Sequence, residues 1–480
     1  MIIVHASAEC YPVAKAGGLA DVVGALPKYQ CRQGDEAKVI MPMHRTEFLY
    51  KNEWETIHQG SFSLGERYLN FTIIREKTNK LGFELYCVDI YGLLDREKIY
   101  GYDDDDERFI AFQIAVLEWI NAWEYLPDVL HVHDHHAALI PFMIRNCFVY
   151  DKLNKIPTLL TIHNGNYQGI MSWDKGFYLP AFNTKKWGLL DWNDHINRLA
   201  CGIKCADKVN TVSQGYMNEI MKDGAGLESL YQSEKEKCIG ILNGIDTEAF
   251  DPATDTLIND NYSIKDFEEG KLLNKQMLCK QINFDSKVPL FVFIGRMVKD
   301  KGADILPEAI ARLFKKRPTE FSVFILGSGM KDIETGFLEM NDEWPRYYTS
   351  RIDFNEPLSH KLYASADFLL MPSRVEPCGL NQMYALRYGT IPIVRRTGGL
   401  KDTVVDMGDD GGYGICFDYA SVVDIMHSME RAIDLYNDKE KFQAQREHCM
   451  AIDNSWDKSS DNYKKIYLSI TKNLNNTHAS

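Results

Sequence analysis

At 480 residues the chain is longer than one hydrophobic core ordinarily covers and suits two domains of ordinary size. Hydrophobic residues at 45% and charged residues at 25% are the balance of a globular protein, and no run of about eighteen apolar residues offers a membrane-crossing helix. A net charge of −14 excludes a uniformly basic nucleic-acid surface, so an anionic ligand needs a local cluster of donors that overcomes the global field.

The opening MIIVHASAEC has no basic stretch ahead of its apolar run and is expected to be a first β-strand, not a secretory signal. The 11 cysteines stand singly, without a CxxC pair. Cys87, Cys147 and Cys205 lie in apolar surroundings as small buried hydrophobes, and the unpatterned set points to a reducing, cytoplasmic compartment.

In chain order, the first series of strands is predicted at Met1–Ala6, Ala37–Met41, Glu84–Asp89, Val129–Val132, Thr158–Ile162 and Lys208–Val212. Amphipathic stretches lie between them, such as Glu107–Trp123 with Phe109, Phe112, Ile114, Val116, Leu117 and Ile120. The acidic run Asp103–Glu107 reads as a solvated helix N-terminus. Turn residues in Asn243–Pro252 separate this series from a second. The second has strands at Leu290–Gly295, Ser322–Leu326, Phe368–Met371 and Ile391–Val394, with helices including Asp304–Lys316 and His360–Ala366. Alternating strand and helix implies parallel sheets covered on both faces. The expected organisation is an α/β chain of two doubly wound domains, 1–245 and 246–455, facing a central cleft, with a helical tail at 456–480. Ligands in such sheets bind outside the carboxyl ends of the strands.

Those ends carry the chemistry. After the first strand, Lys15 precedes Gly17 and Gly18, and Asp21 follows on the next helix. Paired glycines let backbone N–H groups approach a phosphate, a lysine adds a point charge, and Asp21 can accept from a hydroxylated ligand. A plain glycine turn with an exposed lysine would look the same. In the second series, Arg296 stands just past a strand with Lys301 five residues on. Pro372-Ser-Arg-Val-Glu-Pro-Cys-Gly-Leu places Glu376 after another strand, and Gly379 and Leu380 are expected to open a helix. Arg395-Arg-Thr-Gly-Gly-Leu repeats the pattern of strand, glycine pair and helix. Three such loops in one domain suit a diphosphate leaving group, whose charge Arg, Lys and amide donors neutralise.

One segment points elsewhere. His131-Val-His-Asp-His-His has the look of a metal cluster, which would make the chain a metal-dependent hydrolase. The zinc-hydrolase pattern it approaches has one more residue before its aspartate, and no later His or Cys set supplies a remaining ligand shell. The alternative keeps His131 and His133 as strand-end residues and turns Asp134 toward a hydroxyl.

Lys15-Ala-Gly-Gly-Leu-Ala-Asp-Val, Thr161-Ile-His-Asn-Gly, Asn243-Gly-Ile-Asp, Glu376-Pro-Cys-Gly-Leu and Arg395-Arg-Thr-Gly-Gly-Leu, taken in order, resemble the bacterial glycogen and plant starch synthase family. The resemblance runs from residue 1 to about residue 460. It implies the GT-B fold of two Rossmann-like domains and a retaining glucosyltransferase without metal or cofactor. The implied donor is ADP-glucose, with UDP-glucose as the alternative, and the implied acceptor is the non-reducing end of an α-1,4-glucan.

By that resemblance, Lys15 and Gly18 meet the donor or its phosphates, and Asp21 and Asp134 line the N-terminal wall. His163 sits beside the transferred glucose, and Asn243 lies near the sugar at the hinge. Arg296 and Lys301 grip the diphosphate. Glu376 holds glucose hydroxyls, Cys378, Gly379 and Leu380 present backbone to sugar or phosphate, and Thr397 and Gly398 complete that side. There are departures: Tyr384 stands eight residues after Glu376 where many GT-B enzymes have a second glutamate, so the ribose contacts are unassigned. Ala16, Asn381 and the loop Met297–Asp300 also differ from the usual residues.

Two further readings share these features. A non-catalytic α-glucan-binding protein would use aromatic loops such as Tyr167, Trp173 and Trp192, yet would need no diphosphate grip. Another retaining GT-B enzyme, such as a sucrose or trehalose-phosphate synthase, fits the glycine motifs less well. Acceptor contacts are expected in Tyr167–Asp194.

Overall fold

The computed structural model describes residues 1–477, with side chains described through Lys472. The chain divides into two units, Met1–Ile241 together with the segment from Trp456 onward, and Leu242–Ser455. The chain therefore leaves the first unit after Ile241 and re-enters it at Trp456.

The first unit is built on a nine-stranded sheet. From one edge its strands are Cys238–Gly240, Lys208–Thr211, Thr158–Ile162, Val129–His133, Ile2–Ala6, Glu36–Pro42, Glu84–Asp89, Arg67–Glu76 and Trp54–Leu64. The first seven pair in parallel; Arg67–Glu76 runs antiparallel to Glu84–Asp89 on one side and to Trp54–Leu64 on the other, the latter pair forming a long hairpin. Strand order reverses at Ile2–Ala6, which lies between Val129–His133 and Glu36–Pro42. A crevice opens at such a reversal, because successive connections leave in opposite directions.

Fully buried parallel strands read as continuous apolar runs, and LFVFI at Leu290–Ile294 is one. In the second unit six parallel strands follow the order Tyr348–Ile352, Ser322–Gly327, Leu290–Ile294, Phe368–Met371, Ile391–Arg395, Ile415–Phe417. Here the reversal lies between Leu290–Ile294 and Phe368–Met371. One face carries a core with Leu306, Ile310, Leu313, Ile425 and Met429, and the other a core with Phe267, Leu278, Leu362 and Tyr388.

The C-terminal helix Trp456–Thr477 belongs to the first unit, where Trp456, Tyr463, Ile466, Tyr467 and Ile470 join Val22, Leu26 and Tyr29 of helix Gly18–Arg32 in one core. The acidic run does open a helix, Asp105–Asn121, but it is not simply solvated. Asp104 pairs with Arg96, Asp105 with Arg108, Asp106 with Lys175 and Arg198, and Glu107 with Arg67. Opposite charges brought from Arg67, Lys175 and Arg198, distant in sequence, convert the run into a structural hub. No helix among the described residues is long and apolar enough to cross a membrane.

Candidate functional site

In the first unit the strand Ile2–Ala6 ends in a loop that Glu9 organises. Its buried carboxylate accepts from the peptide N–H of Ala16 at 2.6 Å and of Gly17 at 3.0 Å, and from the Tyr100 hydroxyl at 2.6 Å. Ser7 closes the near side, donating to the Glu9 carbonyl at 2.7 Å. The loop then enters helix Gly18–Arg32 through Gly17 in extended backbone. Lys15 Nζ lies 2.7 Å from Asp21 Oδ1, one turn into that helix. A Cβ added at Gly17 or Gly18 would meet no atom of the chain within 4 Å, and neither residue has a positive φ. Packing and backbone strain therefore do not demand this glycine pair.

At the neighbouring strand ends stand Asp134 and His163. Asp134 has φ 54, the left-handed region that only Asn, Asp and Gly visit with ease. Its Oδ1 accepts the His163 N–H at 2.7 Å, bridging two adjacent strand ends. Burial, with a smaller push from the charge of Glu9, raises the Asp134 carboxyl to about 7 although the His163 and Asn164 amides favour its anion. His163 is buried, its ring lowered to about 3, so it is neutral.

The histidines of the metal-like segment lie together with an unforeseen third. Ligand atoms of His5, His131 and His133 all lie within 4.8 Å of one another. Every ring nitrogen of the three already has a hydrogen-bond partner, however: His133 and Gln30 for His5, Tyr467 and Thr161 for His131, His5 and His163 for His133. The donor set is satisfied as a hydrogen-bonded array. A metal would have to break these bonds.

In the second unit the two loops flanking the reversal meet directly. Lys301 Nζ lies 2.6 Å from Glu376 Oε1, and Ser373 donates to Oε2 at 2.9 Å. Gly302, with φ 67, makes this possible: a Cβ there would stand 2.2 Å from the Pro372 carbonyl. Arg374 and Val375 donate their N–H groups to the Asp300 carbonyl at 2.7 and 3.1 Å, locking the loops in register. Arg296 is exposed, and among the described residues its side chain has no hydrogen bond or ion pair.

The third loop is pressed onto the second. Cβ atoms at Gly398 and Gly399 would fall 2.0 Å from the Glu376 carbonyl and 2.1 Å from the Cys378 carbonyl, so this glycine pair answers to backbone crowding. The Thr397 hydroxyl is turned to the Arg374 carbonyl at 3.4 Å. Gly379 takes φ 74, and Leu380 is the cap of the short helix Asn381–Arg387. Cys378 is buried beside Asn243, whose N–H reaches its sulfur, and burial pushes the thiol up to about 12. Buried and held as the thiol, it packs the loop and lacks the thiolate character a nucleophile needs. The Asn243 side-chain oxygen is buried without a partner among the described residues.

Thus Lys15, Gly18, Asp21, Asp134 and His163 gather at strand ends of the first unit, and Asn243, Arg296, Lys301, Glu376, Cys378, Gly379, Leu380, Thr397 and Gly398 at those of the second. Sequence reasoning passed over Glu9, Tyr100, Ser373 and Gly302. Asking which side chain satisfies the amides ahead of Gly18 would have singled out Glu9, the acid in that loop. In the Tyr167–Asp194 region, Trp173 and Trp192 donate to Asp191 and to the Gly226 carbonyl, while Tyr167 is exposed.

Comparison with known proteins agrees with both halves. A model of the starch synthase catalytic domain matches residues 2–233, and one of glycosyl transferases group 1 matches residues 274–448. A glycogen synthase of Flavobacterium johnsoniae is 51% identical, covering 97% of this chain and 98% of its own. One from Streptococcus sanguinis is 36% identical, covering 98% and 100%. The solved catalytic domain of starch synthase IV from Arabidopsis thaliana, bound to ADP and acarbose, superposes with a TM-score of 0.89 at 31% identity, covering 98% of this chain and 99% of that one. With two doubly wound units of GT-B type and these relatives along its whole length, the chain belongs to the glycogen and starch synthase family of hexosyltransferases.

Proposed function

We propose that the chain transfers glucose from ADP-glucose to the non-reducing end of an α-1,4-glucan with retention of configuration, in the cytoplasm. The observation that carries this reading is the Lys301–Glu376 pair at the strand reversal of the second unit. A cation and a hydroxyl-accepting carboxylate side by side suit a ligand that is a phosphate at one end and a sugar at the other. The ADP-bound starch synthase relative favours adenine as the base. Eleven free cysteines fit a reducing compartment.

The chemistry follows from charge. As the bond between glucose and phosphate breaks, negative charge grows on the diphosphate, and Arg296 and Lys301 stabilise it, with Lys15 and the amides around Gly18 serving the donor phosphates. Glu376, Asn243 and the backbone of Cys378, Gly379, Leu380, Thr397 and Gly398 hold the sugar. Positive charge on the anomeric carbon is met by the carbonyl of His163, whose N–H Asp134 holds. Asp21 and Asp134 accept from hydroxyls. The departing phosphate oxygen takes the proton of the acceptor hydroxyl on the same face, which gives retention without a side-chain nucleophile.

The test is a donor comparison with glycogen as acceptor. Release of ADP from ADP-glucose, with label incorporated into product that an α-1,4-specific amylase digests, is expected. Faster release of UDP from UDP-glucose would change the base assignment. No transfer from either donor would defeat the proposal.

A further inference from the structure

Beneath the strand ends of the first unit, a single file of buried polar groups joins His163 to the C-terminal helix. His163 Nε2 lies 3.0 Å from His133 Nδ1, His133 Nε2 3.1 Å from His5 Nδ1, and His5 Nε2 2.8 Å from Gln30 Oε1. Gln30 Nε2 donates to the Tyr467 hydroxyl at 2.9 Å, and Tyr467 lies 2.8 Å from His131 Nδ1. His131 Nε2 lies 2.6 Å from Thr161 Oγ1, which donates to Asn210 Oδ1 at 2.6 Å.

A file of neutral imidazoles, amides and hydroxyls has two self-consistent arrangements, with every proton pointing one way or every proton pointing the other. One anchor chooses between them. Asn210 Nδ2 faces the Thr211 carbonyl at 3.3 Å, and a carbonyl can only accept. Turning the amide over would set two oxygens against each other. Asn210 Oδ1 must therefore face Thr161, whose hydroxyl must donate to it, so Thr161 accepts from His131 Nε2–H. His131 Nδ1 then accepts from Tyr467, and Tyr467 accepts from Gln30. This aims Gln30 Oε1 at His5 Nε2–H. His5 Nδ1 accepts from His133 Nε2–H, and His133 Nδ1 from His163 Nε2–H. Each ring must be neutral for this to hold, and burial lowers all four histidines, His5 to about 4 and His163 to about 3.

We propose that Tyr467 and Gln30 are positioning residues for His163, fixing its proton on Nε2 and leaving Nδ1 as an acceptor toward the transferred sugar. This rests on the reading of His163 as the residue beside that sugar. The C-terminal helix thereby sets the protonation pattern of a residue more than three hundred positions away in sequence, and the array of histidines is the line along which it does so. Removing the Tyr467 hydroxyl cuts the file between anchor and amide. Gln30 is then free to turn, and His5, His133 and His163 populate both senses.

The experiment uses the full chain labelled with nitrogen-15 histidine, where two-bond correlations to the ring carbons' protons report which nitrogen is protonated, and a His163→Gln spectrum identifies the signals. The parent protein is expected to show protonated Nε2 at His163. Tyr467→Phe and Gln30→Met should each give a mixed signature there and a fall in kcat/KM of about threefold to tenfold, the scale of one lost hydrogen bond. Tyr463→Phe is the control. Tyr463 accepts from Asn210 beyond the anchor, so its loss should leave the His163 signature unchanged. An unchanged signature in Tyr467→Phe, or one equivalent of zinc held by the histidines, would overturn the relay while leaving the proposed reaction intact. A mixed signature with full turnover would overturn the assignment of His163 to the sugar instead.

Discussion

Lys301 Nζ and Glu376 Oε1 lie 2.6 Å apart at the ends of adjacent parallel strands, held there by a glycine with φ 67 and by Ser373 on the second carboxylate oxygen. The pair is half-buried on the lysine side and buried on the glutamate side, so each charge is conditioned by the other. Arg296, in the same strand-end segment, contrasts with it: exposed, with no side-chain partner among the described residues.

This contrast separates catalysis from stability. Arg296→Ala is expected to leave the melting temperature unchanged, since an exposed residue without partners contributes within about 0.5 kcal/mol. Its turnover should still fall roughly a hundredfold, the scale of one lost donor to a developing anion. Lys301→Ala should lose turnover similarly and also cost about 1–3 kcal/mol of stability, because the buried Glu376 carboxylate loses its counter-charge. Thermal melts beside steady-state kinetics check both; near-normal turnover in the two variants would remove them from the diphosphate.

The two glycine pairs make opposite predictions. Gly18→Ala places a methyl where no atom of the chain lies within 4 Å, in the first turn of a helix, so stability should hold or rise slightly. The KM for the sugar nucleotide should rise if, as proposed, a donor phosphate approaches the amides around Gly18. Gly399→Ala drives a methyl to 2.1 Å from the Cys378 carbonyl and should lose about 2 kcal/mol or more of stability, with both kinetic constants affected. If Gly18→Ala bound donor normally while still folded, the close approach of phosphate there would be wrong.

Glu9 offers a test of the loop itself. Glu9→Gln retains one acceptor for the Ala16 and Gly17 amides but loses the charge that strengthens them, and the Tyr100 hydroxyl gains a weaker partner. About 1–3 kcal/mol is at stake in such charge-assisted bonds. The loop carrying Lys15 should loosen, seen as faster amide exchange at Ala16 and Gly17 and a raised donor KM with kcat less affected. Unaltered exchange would show that Glu9 does not hold this loop.

Much of this was legible in the sequence, and the reasons differ by element. Buried parallel strands such as Leu290–Ile294 and Phe368–Met371 are short apolar runs between turn residues, and their limits follow from that pattern. The hairpin Trp54–Leu64 with Arg67–Glu76 was not, because its half-exposed faces mix Thr, His, Gln and Arg with apolar residues and give no unbroken run. Motif loops announced Lys15, Arg296, Lys301 and Glu376 by position after a strand. Gly398 and Gly399 looked like a ligand-facing pair, whereas their demand comes from two carbonyls of another loop, which only coordinates reveal. The histidine array was hidden for a related reason: His5 meets His131 and His133 only where strands Ile2–Ala6 and Val129–His133 pair, and Tyr467 joins Gln30 and His131 only once the C-terminal helix returns to the first unit.

Asp134 gives the prediction with the clearest pH dependence. An ordinary aspartate titrates near 4, and burial pushes this one up to about 7. Between about pH 4 and 7 the folded chain therefore holds a proton that the unfolded chain releases, and stability from this group declines as pH rises through that window. Asp134→Asn removes the titration but keeps a residue at ease with φ 54, so the variant should gain on the parent in melting temperature above pH 7. Activity should move the other way. On the proposed reading Asp134 accepts from a sugar hydroxyl as well as from the His163 amide, and its anion is the stronger acceptor, so kcat/KM of the parent should climb through an apparent pKa near 7. In Asp134→Asn that limb should be absent, and kcat/KM should lie roughly tenfold or more below the parent's plateau, the scale of a hydrogen bond to a charged group. A variant that retains the same ascending limb would place the titration on another residue, and with it the hydroxyl contact assigned to Asp134.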